Sequence, residues 1–236
     1  MNLLFSVIIP AYNAEKYIAE SIQSALDQQD VTFEILVVND GSNDNSLDIV
    51  RAFGNCVKII NQKNSGPAFA RNTGAKASKG NVLAFLDADD VWLPNKLITQ
   101  QKKILSGFPF VYSNRYNFGN SEYPIEVLSD KLSLKEGDLW FDLLFMNMMT
   151  ASSVVILKRV FDNLNGFRDG LRYCEDWDLW LRCAEYHQIG YCPEPLLKYR
   201  IDSNGLSKNF LSMAKMREKV VLSSLTSPRA RNISAL

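Results

Sequence analysis

The chain has 236 residues, 47% of them apolar and 22% charged, an ordinary composition for a soluble globular protein that argues against disorder. Lys plus Arg and Asp plus Glu number 26 each, so no net field draws in a polyanion, and no clustered basic block marks a nucleic-acid partner. Four cysteines at wide, irregular spacings, with no C-x-x-C pair, read as reduced thiols of a cytosolic protein.

The opening "MNLLFSVIIPAYN" lacks a basic n-region and a cleavage site, and Pro10 cuts its apolar run short. It reads as a first strand, not a signal peptide. The helical spacing of "EKYIAESIQSAL" follows, then a strand "FEILVVND" ending at Asp40, and a turn-rich "DGSNDNS" in which Ser46 is expected to cap a short helix. "VKIINQ" is a third strand. Gly66-Pro67 sets proline in the first turn of a helix through "AFARNTGAKAS". "NVLAFLDADD" is a fourth strand ending in acids, and Pro94 opens the helix "NKLITQQKKIL".

From Phe108 the pattern changes. "FPFVYSNRYNFG" and the stretch to Asp138 read as irregular strands and loops, "DLWFDLLFMNMM" as a helix, "SSVVIL" as a strand and "EDWDLWLRCAEYH" as a helix. "LKYRIDS" is a further strand, and "NFLSMAKMREKVVLSSL" is an amphipathic helix before a basic, polar end. No stretch reaches the ~18 apolar residues of a membrane span. "LWFDLLFMNMM" is too short and carries Asp142.

Strands alternating with helices predict an α/β fold built on a mainly parallel sheet with helices on both faces. In such sheets ligands bind outside the carboxyl ends of the strands, where strand order switches. Pro10, Ala11, Tyr12, Asn13, Asp40, Asp87 and Asp89 all fall at such ends.

Asp87-Ala88-Asp89-Asp90-Val91 fits two chemistries: a phosphoryl-accepting nucleophile loop, or a pair of carboxylates gripping a divalent cation on a diphosphate. The first normally follows the first strand of its domain, whereas this stretch follows the fourth. Two residues apart in extended chain, Asp87 and Asp89 would face one ligand, leaving Asp90 to cap the helix near Pro94. Asp40 can accept from a nucleobase or ribose, or simply from its own turn. Arg71 can meet a base or a phosphate, although an exposed helical arginine is the commoner case. Glu175, Asp176 and Asp178 crowd a helix start, where negative charge is favoured. Asp178 and Arg182 are expected to pair at i,i+4, leaving Asp176 as the acid free to act as a base. His187 reads as a capping or surface residue, and Trp177, Trp180 and Leu181 as core.

Together "FSVIIPAYNAEKYIAESIQSALDQ", "EILVVNDGSNDNS", "NSGPAFARNTGAKASKG", "VLAFLDADDVWLPNKL" and "GFRDGLRYCEDWDLWLRCAEYHQIGYCPEPLLKYRIDSNGLS" resemble the family-2 inverting glycosyltransferases of GT-A fold, of the kind that build bacterial polysaccharides and glycans. The resemblance runs from Phe5 to Ser207. It implies a nucleotide-sugar-binding half over residues 1–110, an acceptor-binding and catalytic-base half over 111–207, and a helical tail over 208–236. By this resemblance Pro10, Ala11, Tyr12 and Asn13 line the nucleobase pocket, with Asp40 and Arg71 on the base, usually uracil. Asp87 and Ala88 meet the ribose or sugar, Asp89 the metal, and Asp176 is the base with Glu175 beside it. Many relatives carry histidine in "YR-x-H"; here the strand reads "YRID", and Asp202 is the second expected metal ligand.

The implied reaction is metal-assisted transfer, with Mn2+ or Mg2+, from a nucleotide-sugar, most simply a UDP-sugar, to a hydroxyl of a saccharide or lipid-linked saccharide. The implied setting is the cytoplasm, with the inner membrane face open to a peripheral enzyme through Lys215, Arg217, Lys219, Arg229 and Arg231. The rival readings are a nucleotide-sugar-binding partner subunit without turnover and a sugar-phosphate nucleotidyltransferase, which lacks support in the absence of a glycine-rich, basic N-terminal loop.

Overall fold

The computed structural model describes residues 3–119, 126–201 and 210–234. Four parallel strands come first: β1 (Leu4–Ala11), β2 (Thr32–Asn39), β3 (Lys58–Asn61) and β4 (Val82–Phe85). They are joined by α1 (Ile18–Leu26), α2 (Ser46–Arg51) and α3 (Pro67–Ala77). The short β5 (Val91–Trp92) leads to α4 (Lys96–Leu105), then β6 (Phe110–Gly119), β7 (Glu126–Val127) and α5 (Trp140–Phe145). β8 (Val154–Leu157), α6 (Lys158–Asn163), α7 (Glu175–Tyr186) and β9 (Gly190–Ile201) follow, and α8 (Phe210–Leu225) and α9 (Pro228–Ser234) end the chain.

Among the described residues one sheet runs in the order β3-β2-β1-β4-β8-β6-β9-β5, with β7 on β6. β8 runs against β4 and β6, and β5 against β9, while β6 and β9 are parallel. The chain steps outward from β1 to β3 and returns to β4 on β1's other side. That reversal makes the crevice beyond β1 and β4 the expected ligand position.

Alternation along β1 sorts the core onto two faces, because successive side chains point oppositely. Val7 and Ile9 meet Ile18 and Ile22 of α1 and Leu97 of α4. Ile8 faces the other way, toward α3, with Phe85, Phe161, Phe167 and Trp180 in the same cluster. Phe85 is fully buried, its ring centroid 5.7 Å from Phe161 and 5.2 Å from Phe167. Such a side chain contributes about 1.5–3 kcal/mol by burial. α3 approaches β1 closely: a Cβ on Gly74 would lie 2.5 Å from Ile8 Cγ2.

Several expectations need correction. Ser46 lies inside α2 behind Asn45, and its buried hydroxyl accepts from Ala14 N while donating to Asp44 Oδ1. "FVYSNRYNFG" is one continuous strand rather than irregular, because pairing with β8 and β9 overrides its polar residues. α5 stops at Phe145, short of "MNMM". Met146 is extended, and the Asn147 side chain accepts from Met149 N, competing with helical bonding. No helix of the described residues is long and apolar enough to cross a membrane.

Candidate active site

The carboxyl ends of β1 and β2 are tied together where they leave the sheet. Asp40 N donates to Ala11 O at 2.8 Å, and Asn13 Oδ1 accepts from Asn43 N at 2.8 Å. Asn13 takes φ 48°, a left-handed conformation asparagine tolerates. Half-buried Pro10 and buried Ala11 form the base of this turn, and Tyr12 stands 49% exposed above it.

Asp40 is buried, and its carboxylate organises the loop before α3. Oδ1 accepts from Gln62 Nε2 at 2.7 Å and Ser65 N at 2.8 Å, and Oδ2 from Gly66 N at 2.8 Å. Gly66 sits at φ 90°, where a side chain would be strained, so glycine is what lets its N–H turn to the carboxylate. Asp40 is therefore neither self-bonded in its own turn nor loose. It acts across 22 to 26 residues of chain.

The acids after β4 lie on a turn, not in extended chain, with Asp90 N donating to Asp87 O at 3.1 Å. The alternation of an extended chain therefore does not apply to Asp87 and Asp89. Asp87 N donates to Ser152 Oγ at 3.0 Å. Asp90 does not cap α4, whose N-cap is Asn95. It is buried, accepting at Oδ1 from Arg200 N at 2.9 Å, while Arg200 Nε donates to Asp89 O at 2.7 Å. Burial first, then the neighbouring Asp89 and Asp87 carboxylates, holds the Asp90 carboxyl well above the usual range.

Arg71 is not the exposed helical arginine that the sequence suggests. It is 5% exposed and bridges two acids, Nη2 to Asp87 Oδ1 at 2.6 Å and Nη1 to Glu175 Oε1 at 2.8 Å. Burial opposes its charge, but the two carboxylates outweigh that and hold the guanidinium above its ordinary pKa. Its position carried a signal: Ala68, Gly74 and Ala75 lie three or four residues away on α3, the buried face.

Glu175 and Asp176 open α7, entered through Cys174 at φ 59°. Asp176 is partly buried, accepting at Oδ1 from Trp177 N at 2.6 Å and at Oδ2 from Asn147 Nδ2 at 3.3 Å. Burial, then the Glu175 charge, pushes its carboxyl up to about 7, with Arg71 pulling the other way. Asp178 pairs with Arg182 at 2.7 Å as expected, and with Arg168 at 2.8 Å.

Arg115, Arg200, Ser152 and Asn147 were not singled out from sequence. Register shifts on both sides of the buried Asn114 mark a bulge in β9, which advances from Cys192 to Lys198 while β6 advances only from Ser113 to Tyr116. Arg115 follows Asn114 on β6, near enough to Asp90 and Asp176 to feel both charges, with its guanidinium 4.7 Å from the Tyr199 ring centroid. An asparagine followed by arginine after the apolar start of the strand was the available sign.

Among the described residues no three His, Cys, Asp or Glu side chains converge to hold an ion unaided. Asp202 lies outside the described residues. The acidic turn still fits a hard divalent cation shared with phosphates, which commonly takes only one or two protein carboxylates. The Asp89 and Asp87 charges add to burial in raising the Asp90 carboxyl, and a cation would offset that charge.

Comparison with known proteins gives the family and the fold. The Escherichia coli protein named UDP-Glc:alpha-D-GlcNAc-diphosphoundecaprenol beta-1,3-glucosyltransferase WfgD is 32% identical over 235 residues, 98% of this chain and 90% of that relative. The putative teichuronic acid biosynthesis glycosyltransferase TuaG of Bacillus subtilis is 29% identical over 219 residues, 90% of this chain and 84% of its own. For several Rickettsia glycosyltransferases the match spans 64% or less of the relative. S. aureus TarS 1–349, solved in complex with UDP-GlcNAc, shares the fold at a TM-score of 0.76, with 20% identity over 95% of this chain and 67% of that one. Residues 6–168 match the family described as Glycosyl transferase family 2, so the chain belongs to that family and is a glycosyltransferase.

Proposed function

We propose that the enzyme transfers a sugar from a UDP-sugar to a hydroxyl of a lipid-linked saccharide in bacterial cell-surface polysaccharide synthesis, with inversion at the anomeric carbon. Residues 1–110 hold the donor, 111–207 the acceptor and the base, and 208–236 form an appended helical tail. Tyr12 packs on the uracil, with Pro10, Ala11 and Asn13 around it. Asp40, through the loop it orders, fixes the base and ribose. Arg71 acts from behind, orienting Asp87 toward ribose or sugar beside Ala88.

Asp176 accepts the proton of the acceptor hydroxyl as that oxygen bonds to the anomeric carbon. The bond from that carbon to the diphosphate breaks, and UDP leaves with the electron pair. Asp89, with Asp202 as a second candidate, would hold Mn2+ or Mg2+, which supplies positive charge against the departing diphosphate. The work is done in the cytoplasm, at the inner membrane face where a lipid-linked acceptor resides.

The single observation carrying this reading is the Asp87–Arg71–Glu175 bridge, which brings the strand-end acids within one side chain of the helix bearing Asp176. The donor and acceptor chemistry is supported by the name of the E. coli relative and by the UDP-GlcNAc bound to TarS. The decisive experiment incubates the enzyme with UDP-sugars, Mn2+ and a lipid-diphosphate saccharide, then reads product anomeric configuration by NMR. Inverted product with stoichiometric UDP supports the reading. Retained configuration, or UDP release that never yields a glycosidic bond with any acceptor, overturns it.

A further inference from the structure

Most large apolar side chains of this protein are buried, but a group of exceptions gathers beside the base. Phe141 and Phe145, one turn apart on α5, are 50% and 74% exposed, and Met146 is 43% exposed. The next residue, Asn147, donates to Asp176. The apolar edge therefore begins where the proton acceptor ends.

α8 is held against this edge. Arg217 Nη2 donates to Phe145 O at 2.6 Å, and its guanidinium lies 5.4 Å from the Trp177 ring centroid. Met213, Met216 and Val221 of α8 pack on the core and Val220 is buried, whereas Leu211, Lys215, Lys219 and Leu222 are exposed. Leu225 is 48% exposed, because it falls on the outer stripe with Leu211 and Leu222. α8 carries Lys215, Arg217 and Lys219 against the one acid Glu218, in a chain whose formal net charge is zero, while Arg229 of α9 is paired with Asp138. Positive charge is thus concentrated next to the exposed apolar edge.

We propose that the exposed edge of α5, with basic α8 beside it, is a docking surface for an anionic phospholipid bilayer. Phe141, Phe145 and Met146 enter the headgroup boundary while Lys215 and Lys219 meet lipid phosphates. A lipid-linked acceptor then reaches Asp176 without its tail leaving the membrane, a consequence that rests on the function proposed above. Scattered apolar side chains alone would not suggest this, since soluble proteins expose them singly. Their position beside the base and beside a net-positive helix is what favours a bilayer over a second copy of the chain.

The test is flotation of the full chain with vesicles of phosphatidylcholine, with and without phosphatidylglycerol, at two salt concentrations. Binding should require phosphatidylglycerol and weaken with salt. K215E and K219E should each weaken it about fivefold or more, and F141S/F145S should abolish it, with unchanged thermal unfolding and unchanged transfer to a water-soluble, short-chain acceptor. Equal binding to both vesicle types, or no effect of these substitutions, overturns the proposal. So does a dimer in sedimentation that F141S/F145S dissolves while vesicle binding is absent. Failure of vesicle binding with intact soluble-acceptor transfer sinks the docking surface alone and leaves the proposed reaction standing.

Discussion

Arg71 Nη1 lies 2.8 Å from Glu175 Oε1, joining helices whose residues are 104 positions apart. The same guanidinium holds Asp87 at 2.6 Å, so one side chain sets the distance between the acidic turn and the start of α7. Removing one member of a buried ion pair leaves the others uncompensated, at about 3–5 kcal/mol. Arg71→Met is expected to lower stability by that order, read by denaturant unfolding, and to abolish transfer. Arg71→Lys can reach one acid but not fork between two, so it should recover part of the stability and little of the rate. Full activity in Arg71→Lys would mean that the bridge does not position the site.

Asp176→Asn keeps the shape of the side chain and removes its capacity to take a proton. Loss of a positioned general base costs about 10²–10⁴ in rate. Transfer should fall by that much while the dissociation constant for UDP changes little. Rate and binding falling together would reassign Asp176 to donor binding.

The pH dependence follows from the same carboxyl. It is raised to about 7, and only its ionised form can accept a proton, so kcat/KM should rise with pH through about 7 and then level off. Glu175→Gln removes the neighbouring negative charge, so the rise should move to lower pH. For stability the sign is opposite. The folded state binds this proton more tightly than the unfolded chain, whose carboxyl titrates near 3.9. Stability therefore declines between about 4 and about 7 as the buried group is forced to ionise. Asp176→Asn should be more stable than the parent above pH 7 and no more stable near pH 4, measured by thermal unfolding across that range.

Asp40 accepts from Gln62 Nε2 and from two backbone N–H groups, Ser65 and Gly66. An asparagine there offers one oxygen and turns N–H against N–H at the other. A hydrogen bond to a charged group contributes about 1.5–3 kcal/mol, so Asp40→Asn should loosen the 62–66 loop and weaken UDP binding by tenfold or more. Calorimetric titration with UDP checks this. Unchanged affinity would show that the loop does not shape the nucleotide pocket.

Chelation separates metal from nucleotide. A ligand at a hundred times its dissociation constant stabilises by about 2.7 kcal/mol, which thermal unfolding resolves. UDP with Mn2+ should give the largest shift among UDP, GDP, CDP and dTDP, and EDTA should remove most of it. Asp89→Ala should lose the metal-dependent part while keeping a residual shift with UDP alone. An undiminished shift in Asp89→Ala would move the ion to other ligands.

The periodic segments were legible because local physics decides them. β1 through β4 and their helices follow from β-branched runs, from the Gly66-Pro67 start of α3 and from 3.6-residue spacing, and the placement of Tyr12, Asp40 and Asp87 at strand ends follows from them. The Asp178–Arg182 pair was legible for the same reason, since four residues on a helix fix a neighbour. What the linear chain alone determined is thus which elements form and which polar residues their ends carry.

Only the tertiary structure decided what those residues do to one another. Arg71 looked like a surface cation, Asp90 like a cap and the 87–89 acids like an extended pair. The first two changed role when segments about a hundred positions apart were packed together, the third because the chain turns between Asp87 and Asp90. Burial strips water from a charge, so its remaining partners govern it, and those partners are distant in sequence: Glu175 for Arg71, Arg200 for Asp90, Asn147 for Asp176. Local spacing carries no record of such pairings, because the free energy that selects them appears only once the sheet has closed around them.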